Sequence, residues 1–277
     1  MLKIDTPLRK AALGVAAVLL LSLALPKQLL TAPLPNVVEL KDMTWVEVRS
    51  ALQAGYTTVI VPTGGIEQNG PHMILGKHDY IVGQAASTIA RNVGRALVAP
   101  VVSYVPQGDY DPPTGHLAFP GTMGVPEPVF AGVVEGIARS LKAGGFKTIL
   151  FIGDHGGSQP AQKAVSERLT KAWASVGIRV ASIDAYYDDK AQIKRLLAEG
   201  QSLDAIGQHA SIIDTSELLS VQPKGVDLTR YRKVSMGLEP TGISGDPSTA
   251  SAERGTSLLA MRIQAATAAI KAFVATP

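Results

Sequence analysis

The sequence predicts a single-domain α/β fold with a mostly parallel sheet and helices on both faces. First, 277 residues with 46% hydrophobic content are enough to bury one full core. Second, helix-like and strand-like segments alternate along the chain, which is typical of a parallel sheet. Third, strand segments such as KTILFI (147–152) read as buried strands, as expected for a sheet covered on both faces.

Each element has a local signal. A helix is predicted over 44–54, where Thr44 can act as N-cap and Glu47 completes a capping box. Apolar spacing predicts further helices, and β-branched or apolar runs predict strands. The helices are expected at 79–96, 126–143, 159–176 and about 250–275, and the strands at 57–62, 97–105, 147–152 and 178–184. After Thr215 the sequence is rich in Pro and Gly, so loops are expected before the last helix.

The N-terminus has the pattern of an export signal. Lys3, Arg9 and Lys10 precede residues 11–25, which carry no charge. This run is shorter than the roughly 20 apolar residues of a membrane-spanning helix, so 1–25 is predicted to be a signal peptide. If the signal is not cleaved, the same segment would be a membrane anchor. We therefore expect an exported protein, periplasmic or extracellular, whose folded domain covers 33–277.

Composition excludes several classes of site and partner. The chain has no cysteine, which excludes disulfides, thiolate metal sites and a cysteine nucleophile. The formal net charge is +3, and the basic residues are scattered rather than arranged in a stripe. A nucleic-acid partner is therefore not expected.

The histidines are the strongest chemical signal. All of them lie in Gly- or Pro-flanked loops or at element ends, and acidic residues are close to them in sequence. The histidines are 72, 78, 116, 155 and 209, and the acids are Glu67, Asp79, Asp154 and Asp214. Ligands of open α/β sheets bind beyond the carboxyl ends of the strands, where several of these residues fall. Imidazole and carboxylate together suit zinc, manganese or iron(II). Glu67, His78 and His155 would give three ligands and leave one position open.

Other mechanisms have weaker support in the residues. A Ser-His-Asp hydrolase would need a nucleophile elbow such as G-x-S-x-G after a strand, and none is present. The segment GDHGGS (153–158) could cradle a phosphate but lacks the lysine of a P-loop. Taken singly, each histidine could also be structural. Taken together, they favour a metal site.

Five segments resemble motifs of the creatininase family, in the family's order. PTGGIEQNGPHMILGKHD (62–79) resembles P-x-G-S-x-E-Q-H-G-P-H-L-P-L-x-T-D, and GHLAFPGTM (115–123) resembles H-x-x-F-P-G-T. FIGDHGGSQ (151–159) is similar to the N-G-H-G-G-N loop, GQHASIIDTSELL (207–219) to H-A-G-E-x-E-T-S, and GISGDPSTASAERG (242–255) to G-D-P-x-x-A-x-x-x-G. The resemblance implies a creatininase-like α/β fold over 33–277 and a metal-dependent hydrolase acting on non-peptide or small amide C–N bonds. It also implies a homo-oligomer, often a hexamer.

The resemblance assigns roles residue by residue. Glu67 and His155 take the places of metal ligands, Asp214 matches the acid before Thr-Ser, and His209 matches the histidine that acts on substrate or carries a proton.

The departures fall on the metal site. Asn69 stands where the family has a metal-binding His, so it would be at most a weak ligand. His78 stands at the family's bridging Asp, with Asp79 one step later as a second candidate for the bridge. Ile212 replaces a Glu. One tight divalent site is therefore expected, with zinc favoured over manganese or iron, and the second site is doubtful.

The resulting hypothesis is hydrolysis of a small amide, lactam or formamide by a metal-bound hydroxide. His209 or Asp214 would pass the proton to the leaving nitrogen, and His116 would line the substrate pocket and act in catalysis. Thr122 and Phe119 are predicted in the same pocket. His72 and Asp154 are also placed around the substrate, although His72 could hold its loop and Asp154 could hydrogen-bond a ligating histidine. The alternative is an exported binding protein for a metal or small molecule on a catalytically decayed creatininase-like scaffold.

Overall fold

Four parallel strands form the centre of the protein. The computed structural model describes residues 36–232 and 241–276, so the predicted signal or anchor segment 1–25 lies outside the described residues. The strands are β1 (Thr58–Thr63), β2 (Ala96–Val98), β3 (Thr148–Gly153) and β4 (Arg179–Ser182). Their order is β2-β1-β3-β4, with every neighbouring pair parallel. The parallel α/β sheet predicted from the alternating pattern is confirmed.

The helices cover both faces of the sheet. They are α1 (Trp45–Gln53), α2 (Lys77–Val93), α3 (Glu127–Ala143), α4 (Gln159–Trp173), α5 (Lys190–Ala198), α6 (Leu203–Ile206), α7 (Ile212–Val221) and α8 (Ala252–Ala275). The capping box predicted at the start of α1 is present: Glu47 N–H donates to the Thr44 side chain, and Thr44 N–H donates to the Glu47 carboxylate at 2.6 Å.

The alternating side chains of the strands divide the core into two halves. Ile60 of β1 points to the half that contains Ile81 of α2 and Leu218 of α7, while Val59 and Val61 point to the half shared with α1, α3 and α4. All six residues of β1 and of β3 are buried. Because both faces are packed, the two central strands carry the continuous apolar runs seen in the sequence.

The predicted element map differs from the structure in several places, and α5 and α6 lie in a region where no element was predicted. β2 ends at Val98 instead of continuing to residue 105. Pro100 has no N–H to donate to a neighbouring strand. Within the described part of the predicted strand after Pro100, the only pairing is an isolated bridge between Val102 and Thr63. α2 begins at Lys77, two residues earlier than predicted. α7 runs past Thr215 into the region expected to be loop, because its apolar residues pack against α2 and α8.

The last helix, α8, is long and apolar enough to cross a membrane by composition, yet it packs on α2 and α7 through one face. Gly255 lies on that face. A Cβ at this position would be 1.7 Å from the backbone oxygen of Ser216 in α7, so only glycine allows the two helices to approach this closely.

Candidate active site

Glu67 is the centre of the site. It lies in the loop after β1 and is fully buried, and its backbone N–H is fixed by a hydrogen bond to the Leu75 carbonyl. Four histidines surround its carboxylate. They are His78 and His209, with ring nitrogens 2.6 and 3.7 Å from Oε1, and His155 and His116, with ring nitrogens 2.7 and 3.6 Å from Oε2. Burial opposes the charge of Glu67, but His78 and His155 outweigh it and hold the pKa of Glu67 well below its usual value.

Glu67, His116 and His155 form a group that could hold a metal ion. One ligand atom from each residue lies within 4.8 Å of the other two. Glu67 Oε2 is buried, and although His155 Nε2 lies 2.7 Å away, the geometry in the described chain gives this oxygen no well-formed hydrogen bond. A buried carboxylate oxygen that faces two imidazoles without a well-formed hydrogen bond is a group that a bound cation would satisfy. The donor set fits one divalent cation.

The ring protons of the two histidines set a condition on metal binding. Gly157 N–H donates to His155 Nδ1 at 3.0 Å, and the Gln68 amide lies 3.0 Å from His116 Nδ1 through its nitrogen. With these donors on Nδ1, the neutral rings carry their protons on Nε2, facing Glu67. A ligating Nε2 must present its lone pair, so metal binding there would shift each ring proton to Nδ1 and break these two contacts.

His78 lies between two carboxylates. Its Nε2 is 2.6 Å from Glu67 Oε1 and its Nδ1 is 2.7 Å from Asp154 Oδ2. Burial opposes protonation of His78, but Glu67 and the hydrogen bond to Asp154 outweigh it and raise its pKa to about 9. Both ring nitrogens therefore act as donors, and His78 clamps Glu67 instead of presenting a lone pair to a metal.

Lys77 brings a second cation to the same carboxylate. Its side chain is completely buried, and Nζ lies 3.2 Å from Asp214 Oδ2 and 3.6 Å from Glu67 Oε1. Burial opposes its charge, but Asp214 and Glu67 outweigh it and raise the pKa of Lys77. Asp214 also accepts a hydrogen bond from Ala210 N–H at 2.7 Å, which fixes this acid at the start of α7.

Arg262 of α8 holds Asp154 in place through an ion pair. Its guanidinium lies 2.7 Å from Asp154 Oδ1 and 2.9 Å from Glu217 Oε2, and its Nε donates to the Tyr186 carbonyl at 2.9 Å. Although burial opposes the charge of Asp154, Arg262 and His78 outweigh it and hold the pKa of Asp154 far below its usual range. The support for Glu67 therefore runs through His78 and Asp154 to Arg262.

His209 presents a defined nitrogen to the site. Its Nε2 lies 2.9 Å from the Gln68 carbonyl, which can only accept a hydrogen bond, so the ring proton is on Nε2 and Nδ1 has a free lone pair. Burial and the charge of Lys77 lower its pKa to about 3, against the opposing effect of Glu67. The ring is neutral at neutral pH, and the His116 ring lies 4.5 Å away, measured between centroids.

A cavity of about 760 Å³ opens onto these groups. Its floor is formed by the buried residues just described, and its rim carries exposed polar groups, with Glu127 and Asp189 among the acids. Of the predicted site residues, the cavity is lined by Glu67, His78, His116, Asp154, His155, His209 and Asp214.

The remaining predicted residues lie elsewhere. Asp79 accepts hydrogen bonds from Gly65 N–H and Ser103, away from the cluster. Asn69 is fully buried; its amide nitrogen donates to the carbonyls of Glu67 and Ile74, while its Oδ1 has no hydrogen-bond partner among the described residues.

The other three predicted substrate contacts also lie outside the cavity lining. His72 is buried, with Nε2 3.0 Å from the Thr215 hydroxyl. This contact agrees with the alternative in which His72 holds its loop. Thr122 accepts the Gln68 N–H at 3.0 Å, and Phe119 N–H donates to the His116 carbonyl at 3.0 Å. Thr122 and Phe119 thus position Gln68 and His116.

Three important residues were not predicted from the sequence. Lys77 stands at the small Thr of the family's T-D pair, and a basic residue at that place was the available signal. Arg262 interrupts the apolar face of a predicted helix, which also indicates a buried partner. Gln68 carried no such signal, because its role depends on loop folding.

The fold and the site together define an α/β protein with a histidine–carboxylate cluster at the carboxyl ends of its strands. Comparison with known families is more specific: the Creatininase family model, described as creatinine amidohydrolase, matches residues 41–270. The chain belongs to the creatininase family of hydrolases.

Individual relatives are distant. The chain is similar to creatinine amidohydrolase of Pseudomonas putida, with 27% identity over 194 residues, covering 68% of this chain and 74% of that protein. It is also similar to the mycofactocin precursor peptide peptidase of Mycolicibacterium smegmatis, with 25% identity, covering 77% and 84%. A crystal structure of creatininase matches with a TM-score of 0.70 and 24% identity, covering 88% of this chain and all of the other. The last likeness concerns the fold alone.

Proposed function

We propose that this protein is a metal-dependent hydrolase that cleaves the C–N bond of an amide. The observation that carries the proposal is the buried Oε2 of Glu67, which faces His155 and His116 at the floor of a large cavity and has no hydrogen bond of suitable geometry among the described residues. The amide class is supported by the two relatives named above, an amidohydrolase and a peptidase. A small amide, a lactam, a formamide or a peptide end would each fit in about 760 Å³.

Glu67, His116 and His155 would hold the cation. Two imidazoles and a carboxylate are a donor set of catalytic zinc sites. Solved structures of creatininase include a manganese form and a Zn–Zn form, which supports zinc or manganese as the cation. A divalent cation in such a site polarises a carbonyl and lowers the pKa of bound water.

The chain's own residues supply orientation and proton transfer. His209 Nδ1 has a free lone pair and faces the Glu67 carboxylate, so His209 is placed to take up a proton there and return it to a leaving nitrogen. His78 holds Glu67 in one orientation through a 2.6 Å hydrogen bond. Asp214 forms an ion pair with Lys77 and stabilises the buried charge of that ammonium.

Export and assembly are further parts of the proposal. The basic N-terminal residues and the uncharged segment 11–25 support export, and the family resemblance supports a homo-oligomer such as a hexamer. Intact mass of the protein from a bacterial periplasm would test cleavage, and light scattering would test the oligomer. A mass that includes residues 1–25 would favour a membrane anchor.

The direct test is hydrolysis of an amide panel by the zinc- or manganese-loaded protein lacking residues 1–25. The panel should contain cyclic amides, formamides and short peptides. We expect turnover of at least one class and its loss in Glu67→Gln, with Asp188→Asn as a surface control that keeps activity. A protein that binds the metal without hydrolysing the panel would instead support the binding-protein alternative.

A further inference from the structure

The buried Lys77 has no role in the proposed chemistry so far. Its ammonium sits on the Oε1 side of Glu67, opposite the oxygen that faces His155. A fully buried lysine costs free energy unless charges of opposite sign compensate it. Here Glu67 and Asp214 compensate it, which fixes a positive charge beside the proposed metal.

The position of this ammonium is one that a cation could also occupy. Glu67 Oε1 and Asp214 Oδ2 both lie within 3.6 Å of Nζ, and His209 Nδ1, which has a free lone pair, lies 3.7 Å from the same Oε1. Two carboxylates and an imidazole are metal-ligand chemistry. Lys77 therefore fills a place that its neighbours would otherwise offer to a metal.

The ammonium of Lys77 can still donate hydrogen bonds to a further group. Although its contacts to Asp214 and Glu67 are within ion-pair distance, Nζ has no hydrogen-bond partner of suitable geometry among the described residues. Lys77 also lines the cavity. The charge of Lys77 thus acts both on the carboxylates of Glu67 and Asp214 and on a ligand bound in the cavity.

Charge balance limits the number of metal ions. The acids in and beneath the site are Glu67, Asp154, Asp214 and Glu217, and the cations are Lys77, Arg262 and His78, whose two ring nitrogens both face carboxylates. One negative charge remains, so one divalent cation brings the sum to +1 and a second would bring it to +3. A buried excess of positive charge of that size is unfavourable.

We propose that Lys77 is the second cation of this site and restricts it to one metal ion per chain. This inference rests on the proposed metal-dependent function.

The test is zinc content per chain after saturation and removal of free metal, measured by elemental mass spectrometry for wild type, Lys77→Met and Lys163→Met. Lys163 is an exposed partner of Glu167 and serves as the matched control. We expect about one equivalent in wild type and Lys163→Met and about two in Lys77→Met. The double variant Lys77→Met/Asp214→Asn should return to about one, because it removes a ligand of the new site.

The outcomes separate this inference from the proposed function. One equivalent in both wild type and Lys77→Met overturns the inference and leaves the proposed function standing. Two equivalents in wild type also overturn the inference alone, whereas zero in every protein overturns both. If Lys77→Met is only marginally stable without metal, zinc should raise the Tm of this variant well beyond the rise seen for Lys77→Met/Asp214→Asn. Equal rises of Tm in the two variants would contradict the inference.

Discussion

His78 donates from Nδ1 to Asp154 Oδ2 at 2.7 Å, and this hydrogen bond orients the ring that holds Glu67. Asp154 is in turn fixed by Arg262 and by the Tyr186 hydroxyl, which donates to Oδ1 at 3.0 Å. Asp154 was a predicted substrate contact, with the hydrogen-bonding role as the alternative. In the structure it lines the cavity and makes that hydrogen bond.

Replacing Asp154 with Asn should weaken metal binding by about 10- to 100-fold, since supporting groups of metal ligands have effects of this size. The neutral amide no longer favours a doubly protonated His78, so the His78 ring would turn a lone pair toward Glu67 and displace it. Zinc titration by calorimetry measures the change. Asp188→Asn, at an exposed carboxylate, is the control, and an unchanged zinc affinity in folded Asp154→Asn would contradict the role of the His78 clamp.

Replacing Arg262 with Met should destabilise the protein by about 3–5 kcal/mol, because two carboxylates would remain buried without their partner. Those carboxylates are Asp154 and Glu217. Urea unfolding measures the effect, and the double variant Arg262→Met/Glu217→Gln should recover part of it. Arg168→Met, at a surface pair with Glu135, should leave the free energy of unfolding almost unchanged. Equal costs at the two arginines would refute the structural role of Arg262.

His72 should make the metal-free protein less stable in acid. Burial lowers its pKa from 6.5 to about 4, with Asp214 opposing, so the folded ring stays neutral where the unfolded ring is already protonated. Between these two pKa values the unfolded chain binds more protons, and the free energy of unfolding falls as the pH falls. The free energy of unfolding that this pKa difference supplies is fully present above pH 6.5 and is lost as the pH falls to about 4; it amounts to at most about 3 kcal/mol.

The matched comparison is urea unfolding of wild type and His72→Asn with a chelator at several pH values between 7 and 4.5. Other acids destabilise both proteins similarly, so the difference between the curves isolates His72. We expect a shallower pH dependence in His72→Asn. Parallel curves would mean that His72 is not titrated by unfolding.

Gly255→Ala should destabilise the fold by about 1–3 kcal/mol, because the added methyl meets backbone atoms of α7 and forces the helices apart. Gly136→Ala is the matched control: it also lies within a helix, but a Cβ there meets nothing within 4 Å. That substitution should be neutral or stabilising by up to about 1 kcal/mol. Thermal unfolding of both variants checks the contrast, and a stabilised Gly255→Ala would disprove the close helix contact.

Much of the fold could be predicted because the relevant signals are local. The KTILFI run is buried on both sides, and the Thr44–Glu47 capping box marks a helix start without reference to the rest of the chain. The edge strand was predicted too long, since apolar residues after Pro100 pack without continuing the ladder. Helix α7 was missed, because its residues are held by tertiary packing rather than by a clear amphipathic period.

The site was predicted in part for the same reason. Glu67 and His155 directly follow central strands, so strand order brings them together. His116 reaches the cluster only because its loop folds back, with His116 N–H donating to the Gln107 carbonyl at 3.1 Å, and spacing cannot predict that. His78 was predicted as a ligand in its place. Its two carboxylate partners, Glu67 and Asp154, are apparent only in three dimensions.

The most direct measurement for the central claim is zinc stoichiometry of wild type, His116→Ala and His72→Ala, determined together by calorimetry and elemental mass spectrometry. The geometry predicts about one equivalent in wild type and in His72→Ala, whose ring lies outside the cavity lining, and loss of tight binding in His116→Ala. Full zinc binding by a folded His116→Ala protein would contradict the site formed by Glu67, His116 and His155.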